Sequence, residues 1–541
     1  MPMISFPTSA ARVSGSRSLV VAVLIAASVS LGWTQAPAST GEFLGTAGLD
    51  VDGRKAEGTK GFAGVTIPPG PFRPTWESIR ASYRDPLWFR DAKFGIMMHW
   101  GIYSASARQS EWYVRYMYGG NAGIMREHIA KWGPLDKFGY KDFIPLFTAA
   151  KWDPDAWAEL FRKAGAKYVV PTAEHHDGFS LWDSAINQYN AKRMGPKRDL
   201  IGDLGVAVRK AGLKYGVSNH SDNHFTFIPR AEGSDQFDPE WAEFYSVTDR
   251  SEEARQRFID RWVMKNIELI DKYQPDMLWF DMNGANRSWD PQKLTVAAYY
   301  YNRAAAWKKP VAISAKGQSF LAGMLMDYER QGRILPRGLK DFPWQVDDPI
   351  GSKFSYVEEI TYKPVALLIR RLVDCVSMNG NFLLNISPKA DGTIPDEQQQ
   401  RLLEMGRWLA TNGEAIYGSR PWVRYGEGPY HDAPPDTSPP PGPDDPPHES
   451  YTGKEIRFTT QGDTLYAIVM DWPGEQAVVT SLAAGAAALG GGKIARVELL
   501  GHRGALDFTQ DAEGLKVKMP ATRSGDHAFT LKITGLRLAA P

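Results

Sequence analysis

Two carboxylates, Asp281 and Glu329, stand where apolar runs stop, in MLWFD and MLMDYE. A carboxylate closing a buried run costs free energy unless it is hydrogen-bonded or placed to react. Two such groups facing one cavity are the minimum equipment for cleaving a glycosidic bond. One acts as nucleophile or base, and the other, kept protonated by its neighbour's charge, acts as general acid. For Asp281 the plainer alternative is capping of the following helix. Trp279 lies two residues earlier, on the same side of an extended strand.

Other apolar runs end in the same manner. His99 and Trp100 close FGIMMHW, Glu174, His175, His176 and Asp177 close YVVPTAEHHD, His220 closes YGVSNH, and Lys316 closes VAISAK. Strand ends without a chemical task would do as well with Ser, Thr, Asn or Gly, so the set reads as one active site. His99 points with Met97, and its side is decided by which face is core. The imidazoles suit hydrogen bonding to substrate hydroxyls. Adjacent strand residues point to opposite faces, so at least one ring of the His175–His176 pair is expected to be structural, packed behind the strand or satisfied by a carbonyl. The same alternation argues against one metal ion held by both, and neither HExxH nor cysteines support one, so no metal or organic cofactor is expected. Glu111 and Trp112 follow a strand end; a carboxylate beside an indole can bind sugar hydroxyls and an apolar C–H face, although a plain surface loop accounts for them equally. Asp347-Asp348 is read as an exposed loop and Glu252-Glu253 as a solvated helix. Glu358-Glu359 is a helix start or loop, held in reserve as the acid. GxSxG and P-loop patterns are absent.

The elements that must position these groups are short apolar runs alternating with amphipathic stretches such as DAWAELFRKAG, RFIDRWVMKNIELIDKY and VALLIRRLVDCVSM. Strand and helix alternating six or more times imply parallel strands with helical crossovers. Over residues 75–425 the closed solution is a (β/α)8-like barrel, regular or distorted, with its site at the C-terminal strand ends. A doubly wound open sheet competes, but no Gly-rich fingerprint follows the first strand, and GGNAG near Gly119 lacks the spacing. Cys375 lies in an apolar helical pattern and reads as packed core. Residues 39–74 form an extended lead-in, and 426–450, with APPDTSPPPGPDDPP, a Pro-rich linker or loop. Residues 451–541 show period-two, β-branched runs, the pattern of a small antiparallel β-sandwich domain expected to give support or weak carbohydrate contact rather than chemistry.

Composition narrows the partners. The 541 residues carry 63 Lys+Arg against 62 Asp+Glu, which removes the electrostatic case for nucleic acid, and one Cys excludes an internal disulfide. Arg12 and Arg17 precede an apolar stretch, Leu19–Gly32, too short to span a bilayer comfortably, and Ala36-Pro37-Ala38 gives a small-x-small site. Residues 1–38 therefore read as a secretory signal peptide, an uncleaved anchor being the alternative. Its removal leaves 61 basic against 62 acidic groups. The mature chain is expected to be exported, periplasmic or extracellular, without membrane contact, and its oligomeric state is left open.

The blocks LWFRDAKFGIMMHWGIYSASA, EHHDGFSLWDS, PDMLWFD and NFLLNISPKADGTIPDEQQQRLLEMGRWLATNGEAIYGSRPW resemble the α-L-fucosidase family of retaining exo-glycosidases, from about residue 75 to the end. The resemblance implies a barrel followed by a β-sandwich and hydrolysis of a fucosylated glycan through a covalent fucosyl-enzyme, without cofactor. It implies Asp281 as nucleophile and Trp279 against the sugar's apolar face. His99, His175 and His176 would hold fucose hydroxyls, with Glu111 and Trp112 beside them, and Glu329 is the acid/base by order along the chain. Where the family often has Tyr near the end of the third strand, this chain has Asn219 and His220. Lys316 falls where some members carry a basic substrate contact. Rival expectations are a glycosidase of this fold acting on another terminal sugar, and a non-catalytic glycan-binding protein.

Overall fold

The computed structural model describes residues 61–282, 287–317, 319–329, 338–429, 431, 451–490 and 492–538. The leader expected at 1–38, the start of the lead-in and most of the Pro-rich stretch lie outside the described residues.

Among the described residues, eight parallel strands close into a barrel in sequence order. They are β1 (Phe94–Met98), β2 (Tyr168–Glu174), β3 (Lys214–Asn219), β4 (Met277–Phe280), β5 (Ala312–Lys316), β6 (Leu325–Asp327), β7 (Trp344–Pro349) and β8 (Gly380–Ile386). Pairing of Phe94 with Phe382 brings β8 back onto β1. Alternate strand residues turn inward: Met97, Tyr168, Val170, Met277, Trp279, Ala312, Leu325 and Leu383 form one buried apolar cluster. His99, two residues beyond Met97, accordingly belongs to the inner face.

The crossovers follow from local signals. Asp153 caps Pro154–Lys163 by accepting from Asp155 N and Ala156 N, with Pro at the first turn. Asp199 caps Leu200–Lys210, and Ser251 caps Glu252–Tyr273, whose first turn carries Glu252 and Glu253. Helices Asp290–Trp307, Val365–Ser377 and Asp396–Asn412 complete the outer layer, with Cys375 buried. Among the described residues no helix joins β5 to β6 or β6 to β7. The barrel is a distorted (β/α)8.

One segment corrects the sequence reading. Asp347 and Asp348, expected in an exposed loop, lie in β7, every residue of which is buried. The two acids are accommodated differently: Asp348 is paired with cations, whereas burial, with Asp327 and Glu329 nearby, holds the Asp347 carboxyl well above its usual range. Asp348 meets Lys363 Nζ at 2.9 Å and the Arg371 guanidinium, and Asp347 lies against Asp327.

The second region is an antiparallel β-sandwich. Its larger sheet has the order β13-β16-β11-β10-β9 and its smaller sheet β12-β15-β14. The strands are β9 (Arg420–Glu427), β10 (Ile456–Gln461), β11 (Thr464–Val469), β12 (Gln476–Val479), β13 (Arg496–Leu499), β14 (Phe508–Asp511), β15 (Gly514–Lys518) and β16 (Phe529–Thr534). Trp422, Phe458, Leu465, Val479, Val517 and Leu531 are among the residues of its own core. β9 precedes the Pro-rich stretch, so the larger sheet takes an edge strand from the chain immediately after the barrel's last helix. Among the described residues no helix is long and apolar enough to cross a membrane.

Candidate active site

Among the described residues Asp281, directly after β4, caps no helix, and the cap position of Asp290–Trp307 falls to Trp289. Its Oδ2 lies 3.0 Å from His176 Nε2 and 3.5 Å from His220 Nδ1, and its Oδ1 contacts the Lys316 ammonium. Lys316 is the last residue of β5, and its Nζ also lies 2.6 Å from Glu329 Oε2, two residues beyond β6. The same ammonium stands 5.6 Å above the Trp279 ring. Five successive strand ends, β2 to β6, thus converge on one nitrogen and two carboxyls.

The imidazoles close the pocket from the other side. The rings of His175 and His176 are 4.4 Å apart, and both face the site. Neither ring packs behind the strand, but the other half of that expectation, a ring satisfied by a carbonyl, holds for His176, whose Nδ1 faces His220 O. Pairing in β2 ends at Glu174, and the backbone turns at His176–Asp177, so strand alternation no longer governs these two residues. His175 lies 5.0 Å from His220, 5.4 Å from His99 and 5.3 Å from Tyr103, ring to ring. The His220 ring lies 4.9 Å from the Trp279 ring, tilted by 34°. Asn219, which precedes it, turns outward and donates to Asn266 Oδ1, so His220 takes the inward place at the end of β3.

Proton positions follow from partners. Asn385 Nδ2 donates to Phe354 O at 2.7 Å, which turns its Oδ1 toward His99 Nδ1, also at 2.7 Å. His99 therefore carries its proton on Nδ1 and offers Nε2 to the pocket as an acceptor. His176 is different: Nδ1 faces the His220 carbonyl at 2.5 Å and Nε2 faces Asp281. Both partners are acceptors, so both nitrogens hold protons and the ring is an imidazolium. Burial opposes that charge, but the bond to Asp281 outweighs it and raises the His176 pKa. Burial and the neighbouring rings press His99 down to about 3. Burial likewise takes His220 to about 4 despite Asp281, and holds His175 well below its usual range.

The carboxyls diverge as well. Burial works against the Asp281 charge, yet Lys316, His176 and His220 hold it well below the usual carboxylate range. Glu329 is raised, by burial and by the Asp281 charge, against the pull of Lys316. A pair pushed apart in this way supplies one ionised and one protonated carboxyl. Beneath them, Asp327 Oδ2 accepts from Trp279 Nε1 at 2.7 Å and from Gln345 Nε2 at 2.8 Å, which fixes the indole plane.

Glu111 and Trp112 lie at the edge of the cluster rather than on a loose loop. Glu111 is 7% exposed and accepts from Ser355 N at 3.3 Å; burial raises its pKa, with Glu329 adding to the shift and the backbone hydrogen bonds and His176 opposing it. Trp112 is 39% exposed, with its ring 5.2 Å from Phe227 and 6.1 Å from His176. Glu358, the reserve acid, pairs with Arg108 at 3.8 Å in an exposed turn. Two sets of buried ligand atoms lie within 4.8 Å of one another and could hold a metal ion in geometry, His99-His175-His220 and His176-His220-Asp281. In the second set the His176 proton and the Lys316 ammonium already occupy the positions a cation would take. Sequence reasoning missed Tyr103, Phe354, Asp327 and Asn385. Only Asn385, a polar residue inside the apolar run NFLLNIS, left a signal.

Residues 63–414 match the Alpha-L-fucosidase family and residues 449–534 the Alpha-L-fucosidase C-terminal domain. The chain is 31% identical over 481 residues to the tissue alpha-L-fucosidase of Mus musculus, covering 87% of this chain and 96% of the mouse protein. It is 33% identical over 365 residues to the plasma alpha-L-fucosidase of Homo sapiens, covering 65% and 73% respectively. Among solved structures, the Thermotoga maritima alpha-fucosidase in complex with fucose superposes with TM-score 0.68 at 32% identity, covering 86% of this chain and all of that one. With two carboxyls and a histidine cluster at the strand ends of its barrel, a sandwich behind it and these relatives, the chain belongs to the α-L-fucosidase family of glycoside hydrolases.

Proposed function

We propose that this α-L-fucosidase removes terminal α-L-fucose from glycans by double displacement with retained configuration, Asp281 acting as nucleophile and Glu329 as general acid/base. The observation that carries this reading is the shared ammonium. Asp281 Oδ1 and Glu329 Oε2 both touch Lys316 Nζ, so these oxygens are less than about 6 Å apart. Retaining glycosidases hold their carboxyls about 5–5.5 Å apart, whereas inverting ones leave about 6.5–9.5 Å for a water molecule.

In the first step an ionised Asp281 oxygen bonds to the anomeric carbon. The glycosidic C–O bond breaks, and its electron pair takes the Glu329 proton. In the second, Glu329 as carboxylate removes a proton from water, whose oxygen bonds to the anomeric carbon while the ester electron pair returns to Asp281. His176 bonds the nucleophile as an imidazolium, and neutral His99, His175 and His220 suit the sugar hydroxyls, with Trp279 against the apolar face. Glu111 and Trp112 line the rim. Release of a single terminal sugar fits an enclosed pocket, and the leader reading makes the enzyme an exported one.

The test is hydrolysis of an activated aryl α-L-fucoside by the wild type, Asp281→Gly and Glu329→Ala, with and without azide. Asp281→Gly is expected to be inactive alone and to give β-fucosyl azide with azide. Glu329→Ala should give the α product. Near wild-type turnover of a poor-leaving-group fucoside by Glu329→Ala would remove that residue from the role.

A further inference from the structure

We propose that Lys316 is the shared counter-ion of the reaction, contacting Asp281 before the covalent intermediate forms and transferring that partnership to Glu329 once it has formed. The inference rests on the roles proposed above for the two carboxyls. Before reaction, ionised Asp281 and protonated Glu329 both touch the ammonium. After the first step Asp281 is a neutral ester and Glu329 a carboxylate, because its proton has left with the aglycone. In each half-reaction the ammonium therefore faces one negative charge across these two groups.

The contacts make its two tasks unequal. Asp281 has His176 and His220 on its other oxygen, whereas among the described residues Lys316 is the one hydrogen-bond donor on Glu329. Asp347 adds a weaker charge interaction with Lys316, and His99 and His220 face the same space. Loss of the ammonium leaves the nucleophile with imidazolium support but strips the intermediate-state carboxylate of its cation. Glu329 then holds its proton and acts poorly as base toward water. Lys316 is in this sense a positioning residue for the second step. A lysine suits the task because one nitrogen carries three donors on a flexible stem and can serve two carboxyls while lying over an indole.

The experiment is stopped-flow hydrolysis of an activated aryl α-L-fucoside by the wild type, Lys316→Met, Lys316→Gln and Lys316→Arg. In Lys316→Met and Lys316→Gln, kcat should fall on the order of 10²-fold, the scale of a lost general base, and kcat/KM, which reports the first step, by less than about tenfold. A burst of about one aryl alcohol per site should appear, azide should raise the steady-state rate, and the acidic limb of kcat should move to higher pH. Lys316→Arg should recover most of kcat. Equal losses in kcat and kcat/KM without burst or azide response would overturn the proposal, as would a folded Lys316→Met of wild-type kcat. Peptide mapping of wild type treated with a slow-turnover activated fucoside locates the ester: if it is not on Asp281, the underlying reading has failed instead.

Discussion

His176 holds two protons because each ring nitrogen faces an acceptor, and this makes it the histidine of the cluster whose pKa is raised rather than lowered. Its folded pKa lies above the ordinary value of about 6.5. Its charge therefore stabilises the fold fully below about pH 6.5, and that contribution is lost as pH rises through the folded value. Asp281 has the opposite sign: its folded pKa is depressed, so its contribution is present above about 3.9 and is lost only as pH falls through that lower value. We expect the Tm difference between wild type and His176→Gln to be largest in mild acid and to shrink toward alkaline pH. A scan of both proteins by calorimetry from about pH 5 to 9 checks this, and a constant difference would refute the imidazolium.

At the scale of elements, strand ends and helix contacts set the tolerances of the site. Helix Asp396–Asn412 crosses Pro154–Lys163 where Gly406 lies against backbone, and a Cβ there would stand 1.9 Å from Lys163 O. A carbonyl cannot swing aside as a long side chain would. Gly406→Ala should destabilise the barrel by about 1–3 kcal/mol, read as a lowered midpoint in urea, although alanine is the better helix former. The elements themselves were largely legible. Seven barrel strands and five crossover helices stand as apolar runs and amphipathic periods in the sequence. β7 was not, since WQVDDP reads as polar until Lys363 and Arg371 are brought to Asp348 by other chain segments and burial beside Asp327 holds Asp347 protonated.

Across the whole molecule, the sandwich is joined to the barrel by a buried charge. Arg457 of β10 donates to Asp374 of helix Val365–Ser377 at 2.7 Å and to Tyr451 Oη at 3.1 Å, and Trp408 donates across the same boundary to Ala528 O. Replacing Arg457 by Met leaves a buried carboxylate without its cation, at a cost of about 3–5 kcal/mol. Because this contact lies on the outer layer, away from the strand ends, kcat/KM per folded molecule should stay at the wild-type value. The expected signature is a lower denaturation midpoint and faster limited proteolysis with activity retained in the intact fraction. Lost activity at full folding would mean that the sandwich contributes to the site.

The sequence by itself determined the order of the barrel and which polar residues end its strands, because apolar periodicity and polar strand ends are local properties of the chain. Asp281, Glu329, His99, His220 and Trp279 could all be chosen on that ground, and the quoted blocks pointed to the family. Only the tertiary structure decided how the groups meet. The side-by-side rings of His175 and His176, the inward turn of His220 past Asn219, the burial of Asp347 and the single ammonium between two carboxyls arise where separate strand ends converge. Strand alternation predicts orientation only while the backbone stays extended, and charge predicts exposure only until a partner is supplied from elsewhere in the fold.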